Sequence, residues 1–280
     1  MCIKSTILNN KNMKIQISSF LYLLCLLLSI NSNKFLKSNI QKTERTCNYS
    51  YLNNRDQTTP TQQNKKILGN AAIYAVLAGS STDNSGSTTI VGSLGVSPST
   101  AIDGTAVTLI GGTLHAGDPH ALEAKNSLKN AYNHLKGLPP GKDLTGTDLV
   151  GLTLRPGQYG FTSSAFLSAG ILTLDANGDK DAEWVFQITS TLITSVGAEV
   201  KVIGGGSPFN VYWQVGSSAT IEDHTKMVGN IVAYSHISLG VNATLIGRAL
   251  ARVGFVRMDS NFIASVPCKR KHPFFSVKIN

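Results

Sequence analysis

Residues 184–203 read WVFQITSTLITSVGAEVKVI, and this stretch decides the fold because it contains three short strand patterns in succession. The first pattern, 184–188, is apolar on both sides of a strand. The second, 191–194, and the third, 200–203, alternate between polar and apolar residues. One unit of the chain therefore predicts three strands joined by corners.

The same unit recurs along the C-terminal half of the chain. Its first strands begin at residues 184, 211, 231 and 249, which are 27, 20 and 18 residues apart. This spacing fits single coils with corner loops of variable length. The sequence therefore predicts a mainly β fold, an irregular right-handed β-solenoid of triangular cross-section with three parallel β-faces. The other strands of these coils are expected at 219–222, 226–228, 237–240, 244–246 and 256–259.

One segment breaks the β pattern and predicts a long helix over residues 119–136. Asp118 is suited to cap the free amide groups, Pro119 to occupy the first turn, and Gly137 to end the helix in the left-handed conformation. Apolar residues recur at intervals of three and four and form one stripe. The stripe consists of Ala121, Leu122, Ala124, Leu128, Ala131, Tyr132 and Leu135. Because the first strands are apolar on both sides and need a cover, we expect the helix to pack along the first face.

The two ends of the chain differ from its middle. Residues 20–30 form an apolar run that is shorter than the about 20 residues needed to cross a bilayer. This run predicts a signal peptide over 1–32 and a secreted, extracellular protein, with an uncleaved anchor as the alternative. Residues 33–66 are polar and basic and predict a disordered leader. The folded domain is expected over 67–267, followed by a basic tail at 268–280.

Most of the net charge of +9 lies outside the expected domain. Residues 1–66 carry ten Lys and Arg against two acidic residues, and 268–280 carry four Lys and Arg and no acidic residue. Residues 67–267 carry eleven basic and fourteen acidic residues, which argues against nucleic acid as a partner. Cys47 and Cys268 flank the domain, and the sequence leaves open whether they pair.

A series of short motifs runs through the expected domain. They are LGNAA at 68–72, LGVSP at 94–98, GTLHA at 112–116, LRPGQY at 154–159, LTLD at 172–175, WVFQI at 184–188, WQVGSSAT at 213–220 and GRALA at 247–251. With these motifs and the helix, the chain resembles the microbial ice-binding (antifreeze) protein family over roughly residues 68–263. The resemblance implies an irregular β-solenoid with a helix alongside and a non-enzymatic role in ice binding. It also implies that the N-terminal segment forms a coil beside the C-terminal coils.

Given this resemblance, the second face of the solenoid is the candidate site for ice and ordered water. Alternation turns apolar side chains inward and mostly small polar or β-branched ones outward. In parallel strands these outward groups form rows with a repeat of about 4.7–4.9 Å, close to that of oxygen atoms in ice. β-branched side chains also resist rotamer disorder. We therefore expect ice to bind Thr173, Thr191, Ile193, Ser218, Thr220, Ser238 and Gly240.

Charged residues on the same strands reduce the expected activity. Glu222, Arg257 and Asp259 are expected to point outward and to hold their own hydration against the ice lattice. This predicts moderate rather than high activity. The segment 105–108 (TAVT) also matches a short pattern that some members of the family carry. We expect a monomer that contacts no membrane after signal cleavage.

The residues alone leave other functions open. Outward Thr and Ser also fit ordinary β propensity, and an extracellular adhesion or glycan-binding module could use the same face. A polysaccharide-cleaving enzyme would need clustered acidic or basic residues, which the sequence does not show. His115, Asp118 and His120, and the run 175–181, contain residue types found in metal sites without the required spacing. No metal or cofactor is therefore expected.

Overall fold

The computed structural model of the chain describes residues 62–266 and the backbone of a last strand at 276–279. The predicted signal peptide, most of the predicted leader, Cys47 and Cys268 lie outside these residues. The described residues contain two α-helices, α1 (Gln62–Leu68) and α2 (Pro119–Lys136), two 3-10 helices (Gly69–Ile73 and Pro208–Asn210) and strands β1 to β23. Within this part of the chain, no helix combines the length and the apolar character needed to span a membrane.

Apart from β23, the strands stack in parallel into three faces, as the repeat predicted. The first face is covered by α2, and its strands are largely buried on both sides. It consists of β1 (Tyr74–Ala78), β4 (Ser93–Val96), β7 (Leu114–Ala116), β8 (Lys142–Asp143), β10 (Gly157–Phe161), β13 (Trp184–Ile188), β16 (Val211–Val215) and the C-terminal halves of β18 (Lys226–Ala233) and β20 (Thr244–Ala251).

The second and third faces have one side turned away from the core. The second face consists of β2 (Ser81–Ser85), β5 (Ala101–Ile102), β11 (Ala165–Leu167), β14 (Leu192–Thr194), β17 (Ala219–Ile221), β19 (Ile237–Leu239) and β21 (Val256–Asp259). The third face consists of β3 (Thr88–Val91), β6 (Val107–Ile110), β9 (Thr153–Leu154), β12 (Ile171–Asp175), β15 (Glu199–Ile203), the N-terminal halves of β18 and β20, β22 (Phe262–Ala264) and β23 (Ser276–Ile279).

The N-terminal segment completes the stack beside the C-terminal coils, as the resemblance implied. Strand β1 pairs with β20, β2 with β21 and β3 with β22, all in parallel. Along the second face the order is therefore β11, β14, β17, β19, β21, β2 and β5. Residues far apart in sequence become lateral neighbours, and Thr82 lies opposite Val256.

Two corners differ from the expectation of separate third and first strands. Strands β18 and β20 each run without a break from the third face onto the first. Each bends at a glycine with positive φ, Gly229 at 104° and Gly247 at 154°. A Cβ atom on Gly247 would collide with the backbone of Gly229, so two backbones approach here more closely than any other residue permits.

The interior is filled by a ladder of aromatic rings from successive first-face strands. Tyr159, Phe186 and Trp213 lie opposite one another in register. The rings of Phe186 and Trp213 stack at 4.0 Å between centroids, and those of Tyr159 and Phe186 at 5.4 Å. Stacked aromatic rings prefer a particular offset relative to each other, so this ladder helps to fix the register of neighbouring coils.

The predicted helix over 119–136 is present as α2, with two details different from expectation. Asp118 caps it by accepting a hydrogen bond from the Ala121 amide at 2.8 Å, as expected. The stripe packs on first-face residues, including Tyr212 and Leu250, but Leu122 is 51% exposed and lies outside the contact. Gly137 is not left-handed: its φ is −88°, and its amide donates to the carbonyls of Asn133 and His134.

Two boundaries also differ from expectation. The expected leader includes the start of α1, where Asn64 is buried and donates to the Phe209 carbonyl at 2.6 Å and to the Tyr212 hydroxyl at 2.8 Å. Residues 62–66 are therefore part of the folded structure, although the domain was expected to start at residue 67. In the expected tail, β23 pairs antiparallel with β6 at the edge of the third face.

Lys125 attaches α2 to the end of β20. Its ammonium nitrogen Nζ donates to the carbonyls of Ala251 at 2.5 Å and Arg252 at 2.6 Å. Burial, with a smaller contribution from the charge of Arg252, lowers the pKa of Lys125 from 10.5 to about 7.

This lowered pKa predicts how stability changes with pH. Between pH 7 and 10.5 the unfolded chain holds a proton on Lys125 that the folded chain has released, so the contribution of Lys125 to stability rises with pH in this window. We expect the free energy of unfolding of the wild type, relative to Lys125→Met, to rise by up to about 1.4 kcal/mol per pH unit. Urea unfolding at several pH values measures this difference, and a difference that is constant or falls would contradict the assignment.

Candidate functional site

The second face is a sheet of short parallel strands whose inner side is sealed by the core. Leu192, Ala219, Ile237 and Val256 point inward and are buried. The outer side chains follow the register of the strands without a shift from β11 to β21. Because parallel strands lie about 4.7–4.9 Å apart, equivalent outer groups repeat at that interval.

The outer side chains form three rows, which we name by their order along each strand. The central row pairs directly across strands and consists of Phe166, Ile193, Thr220, Ser238, Arg257 and Asp83. The leading row lies two residues earlier and consists of Ser164, Thr191, Ser218, His236, Phe255 and Ser81. The trailing row lies two residues later and consists of Ser168, Ser195, Glu222, Gly240, Asp259 and Ser85.

Six of the seven residues predicted from the sequence belong to these rows. Ile193, Thr220 and Ser238 are consecutive members of the central row. Thr191 and Ser218 are consecutive members of the leading row. Gly240 lies in the trailing row and lines, with Glu222 and Asp259, a shallow depression of about 280 Å³.

The seventh prediction was wrong, because Thr173 does not lie on the second face. It belongs to β12, which pairs with β9 and β15 on the third face, where Thr173 lies opposite Thr153 and Lys201. Asp175 ends the same strand and pairs through its carboxylate with Arg155 at 2.9 Å. The alternation at 172–174 identified a half-buried strand correctly but could not indicate which face it joins.

The second-face strand of that coil is β11, which sequence analysis missed. Its outer residue, Phe166, is 50% exposed and lies opposite Ile193. Strand β11 has only three residues, and the sequence around it (SSAFLSA, 163–169) shows no extended alternation. The spacing of the coils could have indicated this strand, because each coil needs a second-face strand between its first-face strand, here β10, and its third-face strand, here β12.

From β11 to β19, the central row is uncharged and its neighbours are held in place by hydrogen bonds. The hydroxyls of Ser164 and Thr191 lie 2.7 Å apart in adjacent coils. The Ser218 hydroxyl accepts a hydrogen bond from the His236 amide at 3.3 Å. Beneath the surface, the Thr194 hydroxyl accepts from the Glu222 amide at 3.0 Å. These links restrict the outer groups of β11 to β19. We call this part of the second face the neutral half, because its central row is uncharged.

The other half of the second face is charged and aromatic. Arg257 lies 3.7 Å from the carboxylate of Asp83, the next member of the central row. Its guanidinium also lies 5.0 Å from the centre of the Phe255 ring, which stacks on His236 at 4.1 Å. Asp259 adds an acidic group on the trailing side, and Glu222 adds another beside Thr220, at the trailing edge of the neutral half. The outward position predicted for Glu222, Arg257 and Asp259 is confirmed, while Asp83 was not predicted.

Carboxylates also stand at both ends of the central row. Asp148 bridges to Phe166 at one end; burial opposes its ionisation, but hydrogen bonds from Ser168 and from the Val150 amide hold its pKa below the usual value. Asp103 follows β5 at the other end, and hydrogen bonds from Thr105 lower its pKa. Both carboxylates are therefore charged at neutral pH and border the face.

The remaining sequence candidates form ordinary turns and caps. The imidazole of His115 lies 2.6 Å from the Asp118 carboxylate, which also caps α2. Asp175 and Asp179 accept amide hydrogen bonds within their own turn. Among the described residues, no three His, Cys, Asp or Glu side chains are arranged to hold a metal ion. The segment 105–108 turns a corner onto the third face, in β6.

Comparison with known proteins agrees with this geometry. The family model described as Ice-binding-like matches residues 76–264. An ice-binding protein of Nostoc sp. (strain HG1) is 45% identical over 211 residues, which is 75% of this chain and 77% of that relative. The crystal structure of an ice binding protein from an Antarctic biological consortium has a TM-score of 0.67 at 42% identity and covers 76% of this chain and 94% of its own.

A second solved structure extends the comparison to a fungus. The ice-binding protein of the Antarctic ascomycete Antarctomyces psychrotrophicus has a TM-score of 0.67 at 34% identity, with 71% of this chain and 97% of its own covered. The family model spans the solenoid from β1 to β22. This chain therefore belongs to the Ice-binding-like family.

Proposed function

We propose that this protein adsorbs to ice through the neutral half of its second face and thereby slows ice growth and recrystallisation. The observation that carries the proposal is the unbroken register of the four uncharged central-row groups from Phe166 to Ser238. The names of the relatives point to the same partner. A secreted location, a monomeric state and the lack of a catalytic role are part of this proposal.

The physical basis is the match between a stiff surface and the ice lattice. Hydroxyls of Thr191, Thr220 and Ser238 can hold waters at a repeat set by the strand spacing, about 4.7–4.9 Å. The side chain of Ile193 keeps a restricted rotamer and leaves the waters around it free to bond with one another. Each contact is weak, but all form together on a rigid plane. Ice between adsorbed molecules must then grow with a curved surface, which lowers its freezing point.

Ice shaping in a nanolitre osmometer tests the proposal. Purified protein should produce faceted crystals and a measurable gap between melting and freezing temperatures, whereas serum albumin at the same concentration should produce round crystals and no gap. Round crystals with the folded protein would refute ice adsorption. In that case, binding on a glycan array would favour the adhesion alternative.

A further inference from the structure

The uncharged part of the central row ends at Ser238, although the strands continue in register beyond it. Ser238 lies opposite Arg257, and Arg257 opposite Asp83, with no shift in register. Ser81 and Ser85, which flank Asp83, are as small as Ser164 and Ser218 of the neutral half, whereas Phe255 and Asp259 flank Arg257. Only side chains, and not the course of the strands, therefore separate the two halves.

Arg257 and Asp83 hold each other on this surface. The guanidinium lies 3.7 Å from the carboxylate and stacks over the Phe255 ring at 5.0 Å. The side chains remain 61% and 43% exposed, so both charges keep hydration water. Water bound around a charge is oriented towards that charge and cannot join the ice lattice without loss of hydration energy.

Because exposed ion pairs contribute little to stability, the fold does not depend on this one. We propose that the Asp83–Arg257 pair sets the limit of the ice-adsorbing area and so limits the antifreeze activity. This inference rests on the proposed function and specifies which residues control its strength. Removing the pair would lengthen the uncharged central row from four to six residues, from about 14 Å to about 24 Å at the usual strand spacing.

The test is the double variant Asp83→Thr/Arg257→Thr, which leaves the net charge unchanged. Thermal hysteresis at equal concentration should rise by about 1.5-fold or more, in proportion to the longer row. The matched control is Glu199→Thr/Lys226→Thr, which removes an exposed pair at 3.3 Å from neighbouring strands of the third face. The control should leave hysteresis unchanged, and circular dichroism should show that both variants are folded.

The outcomes separate this inference from the function on which it rests. Unchanged hysteresis in the folded Asp83→Thr/Arg257→Thr variant would overturn the inference, while ice shaping by the wild type would still support adsorption. A decrease would also overturn it, because the pair would then belong to the adsorbing surface. An equal rise in the control would show a general effect of surface charge and would equally contradict it. A wild type that does not shape ice would refute the proposed function itself.

Discussion

Replacing Thr220 with Tyr should abolish most of the thermal hysteresis while leaving the fold intact. Thr220 lies between Ile193 and Ser238, in the middle of the neutral half. A tyrosine side chain would project several ångströms above these neighbours, and a gap of 0.5–1 Å already forfeits about a quarter to a half of a dispersion contact. We therefore expect hysteresis to fall by about fivefold or more, measured in a nanolitre osmometer.

The same substitution at Thr173 is the matched control. Thr173 is a half-buried threonine at the centre of a strand, like Thr220, but it lies on the third face opposite Lys201. Thr173→Tyr should leave hysteresis unchanged, and neither tyrosine should alter stability by more than about 0.5 kcal/mol. If the Thr173 variant lost activity and the Thr220 variant kept it, the adsorbing face would have been assigned wrongly.

The largest loss of stability is expected from Arg248→Met. Arg248 is completely buried, and its guanidinium donates to the carbonyls of Ala72 and Ser265, both at 2.9 Å, and to the side chain of Asn230 at 2.7 Å. It thereby joins the N-terminal segment to the last described coil. Methionine fills a similar length but leaves these buried acceptors unpaired, which we expect to cost about 3–5 kcal/mol in chemical unfolding.

Arg252→Met provides the comparison for Arg248→Met in the same part of the chain. The guanidinium of Arg252 lies about 5 Å from the rings of Tyr132 and Tyr234 and remains partly exposed. A cation–π contact of this kind contributes about 0.5–1 kcal/mol, so the Arg252 variant should remain close to the wild type. Equal losses in the two variants would show that Arg248 does not have the joining role described here.

The repeat and the helix could be predicted from sequence because each is encoded locally. Doubly apolar strands such as 184–188 recur at intervals suited to one coil, and 119–136 carries a cap and an apolar stripe. The position of the N-terminal coil, in contrast, is not encoded locally. Local patterns do not show that β1 pairs with β20, and only the family resemblance indicated it.

The composition of the second face could be predicted only in part. Alternation showed which side of each strand faces outward, and this placed Ile193, Thr220 and Ser238 correctly. It could not distinguish two half-buried faces, so Thr173 was assigned to the wrong one. The short strand around Phe166 gave too little alternation to be recognised, although it forms one end of the neutral half.

Buried polar residues were the least predictable part. Asn64 lies in a polar, basic stretch that is typical of a disordered segment, yet it is buried by contacts with Phe209 and Tyr212, more than 140 residues away. Arg248 likewise gains its partners only after the coils have closed. Such residues depend on tertiary neighbours, which composition and periodicity do not reveal.

The most direct test of ice adsorption by the second face is the incorporation of fluorescent protein into a growing ice hemisphere. Wild type and Thr173→Tyr should label the ice, whereas Thr220→Tyr should be excluded into the liquid. This measurement detects attachment itself, without the growth kinetics that contribute to hysteresis. If Thr220→Tyr labelled the ice as strongly as the wild type, ice would be held by another surface and our assignment of the second face would be wrong.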